Sequence, residues 1–415
     1  MDRYLDRAEK VLARIDELAT ISEDQSALTR TFGTPAFLAG RDKVQSWMEQ
    51  AGLETRIDNI GNARGRLPAG KASAKTFVIA SHIDTVVNAG KWDGPLGVIL
   101  GLDQLENLVN KKISIPFNIE LIAFSDEEGV RFHSTFLGSK VVAGSFEDSL
   151  LEQRDEAGLT LKEVLAKMDC DVAGLKQDMI PANEWLGYLE IHIEQGPVLY
   201  ERKIPVAIVS AIAGQNRIEV TFEGLAGHAG TVPMDMRKDA LCCAADFITK
   251  AEKYGLENKD SLVVTVGKLH IPNAASNVIP GEVICSLDVR SADEKVLESA
   301  TKFLHEMCLS VAGERKIKTA WRLIQHTGAV NCDEDLNRLL AQSIDESGEE
   351  VMTLVSGAGH DAVPVAAVAP VAILFVRCFE GISHNPLEDV ELEDIRAAIE
   401  ISEKFIQNLV KKYTQ

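Results

Sequence analysis

The order of apolar runs in the first third of the chain limits its fold more than any other feature. TFVIASHID (76–84) reads as a strand, LGVILGLDQLENLVN (96–110) as a helix and FNIELIAFS (117–125) as a second strand. Strands joined through a helix lie parallel, because the crossover returns the chain to the same end of the sheet. LGYLEIHIE (186–194) and VAILFV (371–376) add further strands. SLLEQRDEAGLTLKEVLAKM reads as a helical stretch, and ELEDIRAAIEISEKFIQNLVKKY as a long closing helix. These elements predict an α/β architecture with a mixed, largely parallel sheet flanked by helices.

A different rhythm interrupts that pattern. RIEVTFEG (217–224), LVVTVGKLHI (262–271), GEVICSLDVR (281–290) and KIKTAWRLIQ (316–325) read as strands. MRKDALCCAADFITKAEKYG and ADEKVLESATKFLHEMCLSVAG read as helices between them. The order β-α-β-β-α-β is that of a ferredoxin-like α+β sheet. A chain of 415 residues exceeds one usual core. The expected division is therefore 1–213 with 328–415, and an inserted domain over 214–327.

Charge is concentrated where the strands end. FSDEEG (124–129) places Asp126, Glu127 and Glu128 directly after an apolar strand. The preceding strand ends on His82 and Asp84, followed by Asp93 in KWDG, while LEIHIEQG supplies His192 and Glu194 and GISHNPLE supplies His384. In a parallel sheet, ligands gather beyond the carboxyl ends of the strands. Imidazole and carboxylate together suit zinc or manganese, and His82, Asp93, Glu128, His192 and His384 make a sufficient inventory for two divalent ions. Adjacent residues of an extended segment point different ways, so one of Glu127 and Glu128 can hold metal while its neighbour faces a metal-bound water.

Composition narrows the partners. A formal charge of −20 repels nucleic acid and anionic lipid, and no apolar run approaches a membrane span. MDRYLDRAEKVLARIDELATIS reads as an amphipathic helix rather than a secretory leader. The seven cysteines are odd in number and scattered, which points to thiols in a reducing, cytoplasmic setting. His133 and His360 are given no ligand role, and His270, His305 and His326 read as ordinary helix or sheet residues. The acids of LEDVELED read as capping and solubilising the last helix.

SHIDTVVNAGKWDGPLGV, AFSDEEGVRF, LEIHIEQGPVL, GLAGHAGTVPMDMRKDA and GISHNPLE resemble the signature blocks of the di-metal aminoacylase and carboxypeptidase superfamily. They are most similar to its amidase, hydantoinase and carbamoylase branch, and the likeness covers nearly the whole chain. The resemblance implies His82 and His192 as terminal ligands on one side, Glu128 and His384 on the other, and Asp93 as bridge. It implies Glu127 as general base and Asp84 as the carboxylate orienting His82. In the inserted domain it implies His228 for the oxyanion, and Asn277 and Arg290 for a substrate carboxylate. Gln195 and Gly359 match further substrate contacts, with Gln215 and Arg217 as weaker ones. The inserted domain would then act as lid and dimerisation domain of a homodimer, closing by hinge motion.

The chemistry so implied is metal-assisted hydrolysis of a ureido C–N bond with Zn²⁺, Mn²⁺ or Co²⁺, releasing ammonia and carbon dioxide. Allantoate and N-carbamoyl-L-amino acids share the reactive unit, a ureido group beside a carboxylate. Allantoate is preferred, since a second ureido group suits polar surroundings near Gln195 and Gln215. N-carbamoyl-L-amino acid hydrolase or β-ureidopropionase activity is the alternative, with dipeptidase and aminoacylase activities ranked behind it.

Overall fold

The computed structural model describes residues 2–71 and 73–414. The chain divides into two compact units, one comprising Met1–Ser210, Cys332–Leu354 and Gly359–Gln415, the other Ala211–Asn331 and Val355–Ala358.

The larger unit is built on a mixed sheet. Its order is Glu54–Ile57, Ala63–Leu67, Asn118–Phe124, Thr76–His82, Trp185–Ile193, Val371–Val376 and Val206–Ile212. The four strands from Asn118–Phe124 to Val371–Val376 run parallel, with antiparallel neighbours outside them. Thr76–His82, Asn118–Phe124 and Val371–Val376 are buried at every position, as strands covered on both faces must be. The antiparallel pair Glu54–Ile57 and Ala63–Leu67 has too short and polar a pattern to stand out in the sequence.

Helix Pro95–Asn110 opens with proline in its first turn after Gly94, whose φ of 83° few other residues adopt. A Cβ on Gly97 would lie 1.9 Å from the carbonyl oxygen of Ile191, so this glycine lets the helix press onto the central strand. Helices Arg3–Ala19 and Leu392–Thr414 pack against it and each other. Phe77 and Phe405 meet at 5.9 Å between ring centroids in the resulting core.

The smaller unit has an antiparallel sheet ordered Lys318–Thr327, Gly214–Glu223, Glu282–Ser291 and Val263–His270. In chain order that is fourth, first, third, second. Helices Ala240–Glu257 and Glu294–Glu314 cover one face, and Ile218, Val220, Phe222, Phe247 and Leu304 are buried between. Alternation along Glu282–Ser291 is strict, as a sheet with one covered face demands.

Two expectations need correction. The stretch 149–168 is not one helix: a 3-10 turn at Asp148–Glu152 precedes a loop, and helix Leu161–Lys167 starts afresh from a Thr160/Glu163 capping box. Gly158, at φ 82°, breaks the run. The last strand of the smaller unit begins at Lys318 rather than 316, because Lys316 takes φ 56° in leaving the preceding helix. Among the described residues, no helix is long and apolar enough to cross a membrane.

Candidate metal centre

The parallel register sets His82 beside Phe124, so the segments that continue from both strands emerge together. Asp84 joins them: its carboxylate accepts the main-chain N–H of Glu127 at 3.0 Å and of Glu128 at 3.1 Å. The acidic triplet is thus tied at its backbone, leaving both glutamate side chains available. His192 stands opposite Phe375 on the next strand pair, and His384 follows in the loop beyond Val371–Val376 with φ 54°.

Asp93 is where these groups meet. Its Oδ1 lies 3.0 Å from His192 Nε2 and 3.6 Å from His82 Nε2. Its Oδ2 lies 3.1 Å from His384 Nε2, which is 3.5 Å from Glu128 Oε1. Two groups with ligand atoms within 4.8 Å of one another, His82–Asp93–His192 and Asp93–Glu128–His384, therefore share one carboxylate. A third group joins His82 to Glu127 and Glu128.

The imidazole tautomers explain what such a cluster requires. His82 Nδ1 faces the main-chain carbonyl of Asp84 at 3.1 Å, and His192 Nδ1 that of Ile193 at 2.9 Å. A carbonyl only accepts, so each Nδ1 carries a proton and each Nε2 is turned toward Asp93, where it bears a second proton in the charged ring and a lone pair in the neutral one. In their neutral form the two rings would bring two lone pairs to one carboxylate, with no donor among them. Cations satisfy that arrangement, and the ligand types fit zinc or manganese.

The charges are strongly coupled. Burial alone would raise the Asp93 carboxyl, but hydrogen bonds with His192, His384 and His82 hold it well below its usual range. Burial disfavours charge on His82, yet its contacts with Asp84 and Asp93 push it well above the ordinary value. Contact with Asp93 lifts His384 to about 9. Burial, then the charge of Asp93, raises Glu128 to about 7. Glu127 is raised well above its ordinary value, first by burial, with His82 opposing. All five inventory residues and Glu127 thus stand in one electrostatic unit.

Gln195 belongs to the same cluster. It takes φ 57° and donates from Nε2 to Asp93 Oδ2 at 2.7 Å. Gly359 is close-packed: a Cβ there would lie 2.7 Å from the ring of Phe136.

In the smaller unit, His228 and Asn277 come together where Gly227–His228 pairs with Val278–Ile279, and both are exposed. Gln215, Arg217 and Arg290 gather around Asp288. Arg290 donates to it from Nε at 2.8 Å and from a terminal nitrogen at 3.1 Å. Gln215 also donates to Asp288, and Arg217 lies 3.5 Å away.

His360, given no ligand role, lies in none of the three ligand groups and is buried with its ring 4.7 Å from that of His192, centroid to centroid. Other residues escaped the sequence reading. Glu190, two positions before His192 on the strand, is buried and accepts from Tyr188 Oη at 3.0 Å; the alternation of LEIHIE carried that signal. Asp288 lay in plain view within DVR. LEDVELED is a correction: Glu388 and Asp394 are buried rather than solubilising, and Asp394 pairs with Arg377.

The family model described as peptidase family M20/M25/M40 matches residues 78–408. The chain is 38% identical over 432 residues to allantoate deiminase 2 of Glycine max, covering 97% of this chain and 89% of that protein. It is 34% identical over 396 residues to an N-carbamoyl-L-amino acid amidohydrolase of Geobacillus stearothermophilus, covering 95% and 97%. It is similar to the crystal structure of an amidase of the hydantoinase/carbamoylase family from Burkholderia multivorans, with a TM-score of 0.91, 31% identity and 97% of each chain covered. Matched through both strand-end segments and the loop of His384, the chain belongs to peptidase family M20/M25/M40, a family of metal-dependent hydrolases, and acts on C–N bonds.

Proposed function

We propose that the chain hydrolyses the terminal ureido C–N bond of an α-carboxylated small molecule, with allantoate as substrate and ammonia and carbon dioxide among the products. The observation that carries this reading is the single carboxylate of Asp93 shared between two imidazole–carboxylate groups. The names of the relatives from Glycine max and Geobacillus stearothermophilus support a ureido substrate.

His82, Asp93, Glu128, His192 and His384 would hold two divalent ions, zinc or manganese, with cobalt also accepted by these ligands. Bound there, such ions polarise an oxygen as Lewis acids and acidify water at neutral pH. Glu127 takes the proton of the attacking water and later returns it to the leaving nitrogen. Asp84 keeps that glutamate in place by gripping its amide. His228 is assigned to the developing oxyanion, and Asn277 and Arg290 to the substrate carboxylate, for which Arg290 would give up its present bonds to Asp288. Gln195, Gln215, Arg217 and Gly359 are the remaining proposed substrate contacts.

We also propose a cytoplasmic homodimer formed through the inserted unit. Val263 and Leu269 on one edge strand of its sheet, and Leu323 and Ile324 on the other, are exposed. All seven cysteines are free, as a reducing compartment requires.

Ammonia release from allantoate, N-carbamoyl-L-methionine and an N-acyl amino acid tests the reading. Allantoate should give the highest kcat/KM. Turnover of the carbamoyl amino acid without allantoate would move the assignment to an N-carbamoyl-L-amino acid hydrolase. Hydrolysis without ammonia would point to an aminoacylase or dipeptidase.

A further inference from the structure

Glu388 lies in none of the ligand groups, yet it is 4% exposed and reaches the turn that carries Asp93. Its Oε1 accepts the main-chain N–H of Trp92 at 2.8 Å and of Asp93 at 3.0 Å. Its Oε2 lies 3.2 Å from Ser383 Oγ, which donates to Asp93 Oδ2 at 2.7 Å. One buried carboxylate thus touches the backbone of Asp93 and the hydroxyl that steers its side chain, beside His384. Room for it depends on Gly90, where a Cβ would fall 2.3 Å from the Cβ of Glu388.

We propose that Glu388 is a positioning residue, which sets the carboxylate of Asp93 between the two halves of the metal centre. The inference rests on the metal-centre reading above. A buried carboxylate is costly to keep unless its partners require it, and here two amides do. Capping the turn alone would not require Glu388, because a second tie joins the same segments. The indole N–H of Trp92 donates to Asp389 at 3.2 Å. Losing Glu388 therefore releases the amides of Trp92 and Asp93 and loosens Ser383 while leaving the two loops attached.

Co²⁺ titration of the metal-stripped full-length chain, followed by visible absorption, provides the test. Glu388→Ala should weaken Co²⁺ binding ~10–100-fold, the usual cost of removing a group that orients a ligand. Gly90→Ala, which expels the same side chain from the other side, should do likewise. Glu388→Gln retains an oxygen for both amides and should recover most of the affinity. Wild-type affinity in Glu388→Ala, or a Gln variant as weak as Ala, would overturn the proposal. Should the Ala variants not fold, Glu388→Asp replaces them: it keeps the charge but falls a methylene short, and unaltered Co²⁺ binding there would overturn it equally. Failure of the wild-type chain to bind Co²⁺ would instead remove the metal-centre reading itself.

Discussion

The Nε2 atoms of His82 and His192 lie 3.5 Å apart, and both rings direct their other nitrogen to a main-chain carbonyl. Neither ring can flip without forfeiting that bond, so both Nε2 atoms are fixed toward one carboxylate. Exhaustive chelation should therefore abolish hydrolysis. Asp93→Ala should strip the protein of bound metal, whereas His384→Ala should leave about half of it, since only one of the two proposed sites would lose its proposed terminal ligand. Elemental analysis of the purified variants distinguishes the two results.

Glu127 has its backbone held and its side chain in the groups around His82. Glu127→Gln keeps the shape and removes the base. We expect kcat to fall ~10²–10⁴-fold with metal content unchanged, the range for loss of a proton-transfer group. Full activity in that variant would end the proposed mechanism.

Asp58 gives a pH dependence that can be read away from the metal centre. Burial, only partly countered by Arg64, raises it from its ordinary 3.8 to about 6. Between those values the folded chain binds a proton that the unfolded chain has released. The associated stability is complete below about pH 4 and is lost as pH rises through about 6, a span of roughly 3 kcal/mol. In chelator, urea titrations of Asp58→Asn should show a flatter slope over that interval than wild type.

Gly97 has no space for a side chain, because its Cβ would occupy the carbonyl oxygen of Ile191. Gly97→Ala should push the helix Pro95–Asn110 off the strand that carries His192 and cost ~1–3 kcal/mol, as overpacked cores do. Denaturant unfolding of the two proteins measures it.

The exposed edge of the smaller unit offers a check on assembly. Val263→Glu with Leu269→Glu places charge on an apolar strand edge. If a dimer forms through that edge, light scattering should report the monomer.

The parallel strands were legible because fully buried strands write themselves as unbroken apolar runs, and the smaller unit because its face alternates. The ligand inventory was legible for a related reason. Histidine and acid at the end of an apolar run, as in TFVIASHID, have few other uses, and the parallel register brings such ends together. What stayed hidden is pairing that depends on distant backbone. Glu388 looks like a helix-capping acid in LEDVELED, and only the turn at Trp92 and Asp93 gives it a different purpose. Asp288 was overlooked because its importance lies in three neighbours, two of them on an adjacent strand. Gly158 was too weak a signal against a run of good helix formers, and the extended helix at 149–168 was the error that followed.

Asp84 fastens residues 127 and 128, but His384 and Glu388 come far later in the sequence than His192. During synthesis the N-terminal portion can pair its strands long before those residues exist. Loading of the proposed metal centre would consequently wait until His384 and Glu388 have followed the earlier strands out of the ribosome. A nascent chain stalled before that point would hold His82, Asp93, Glu128 and His192 but lack the imidazole that completes the second group.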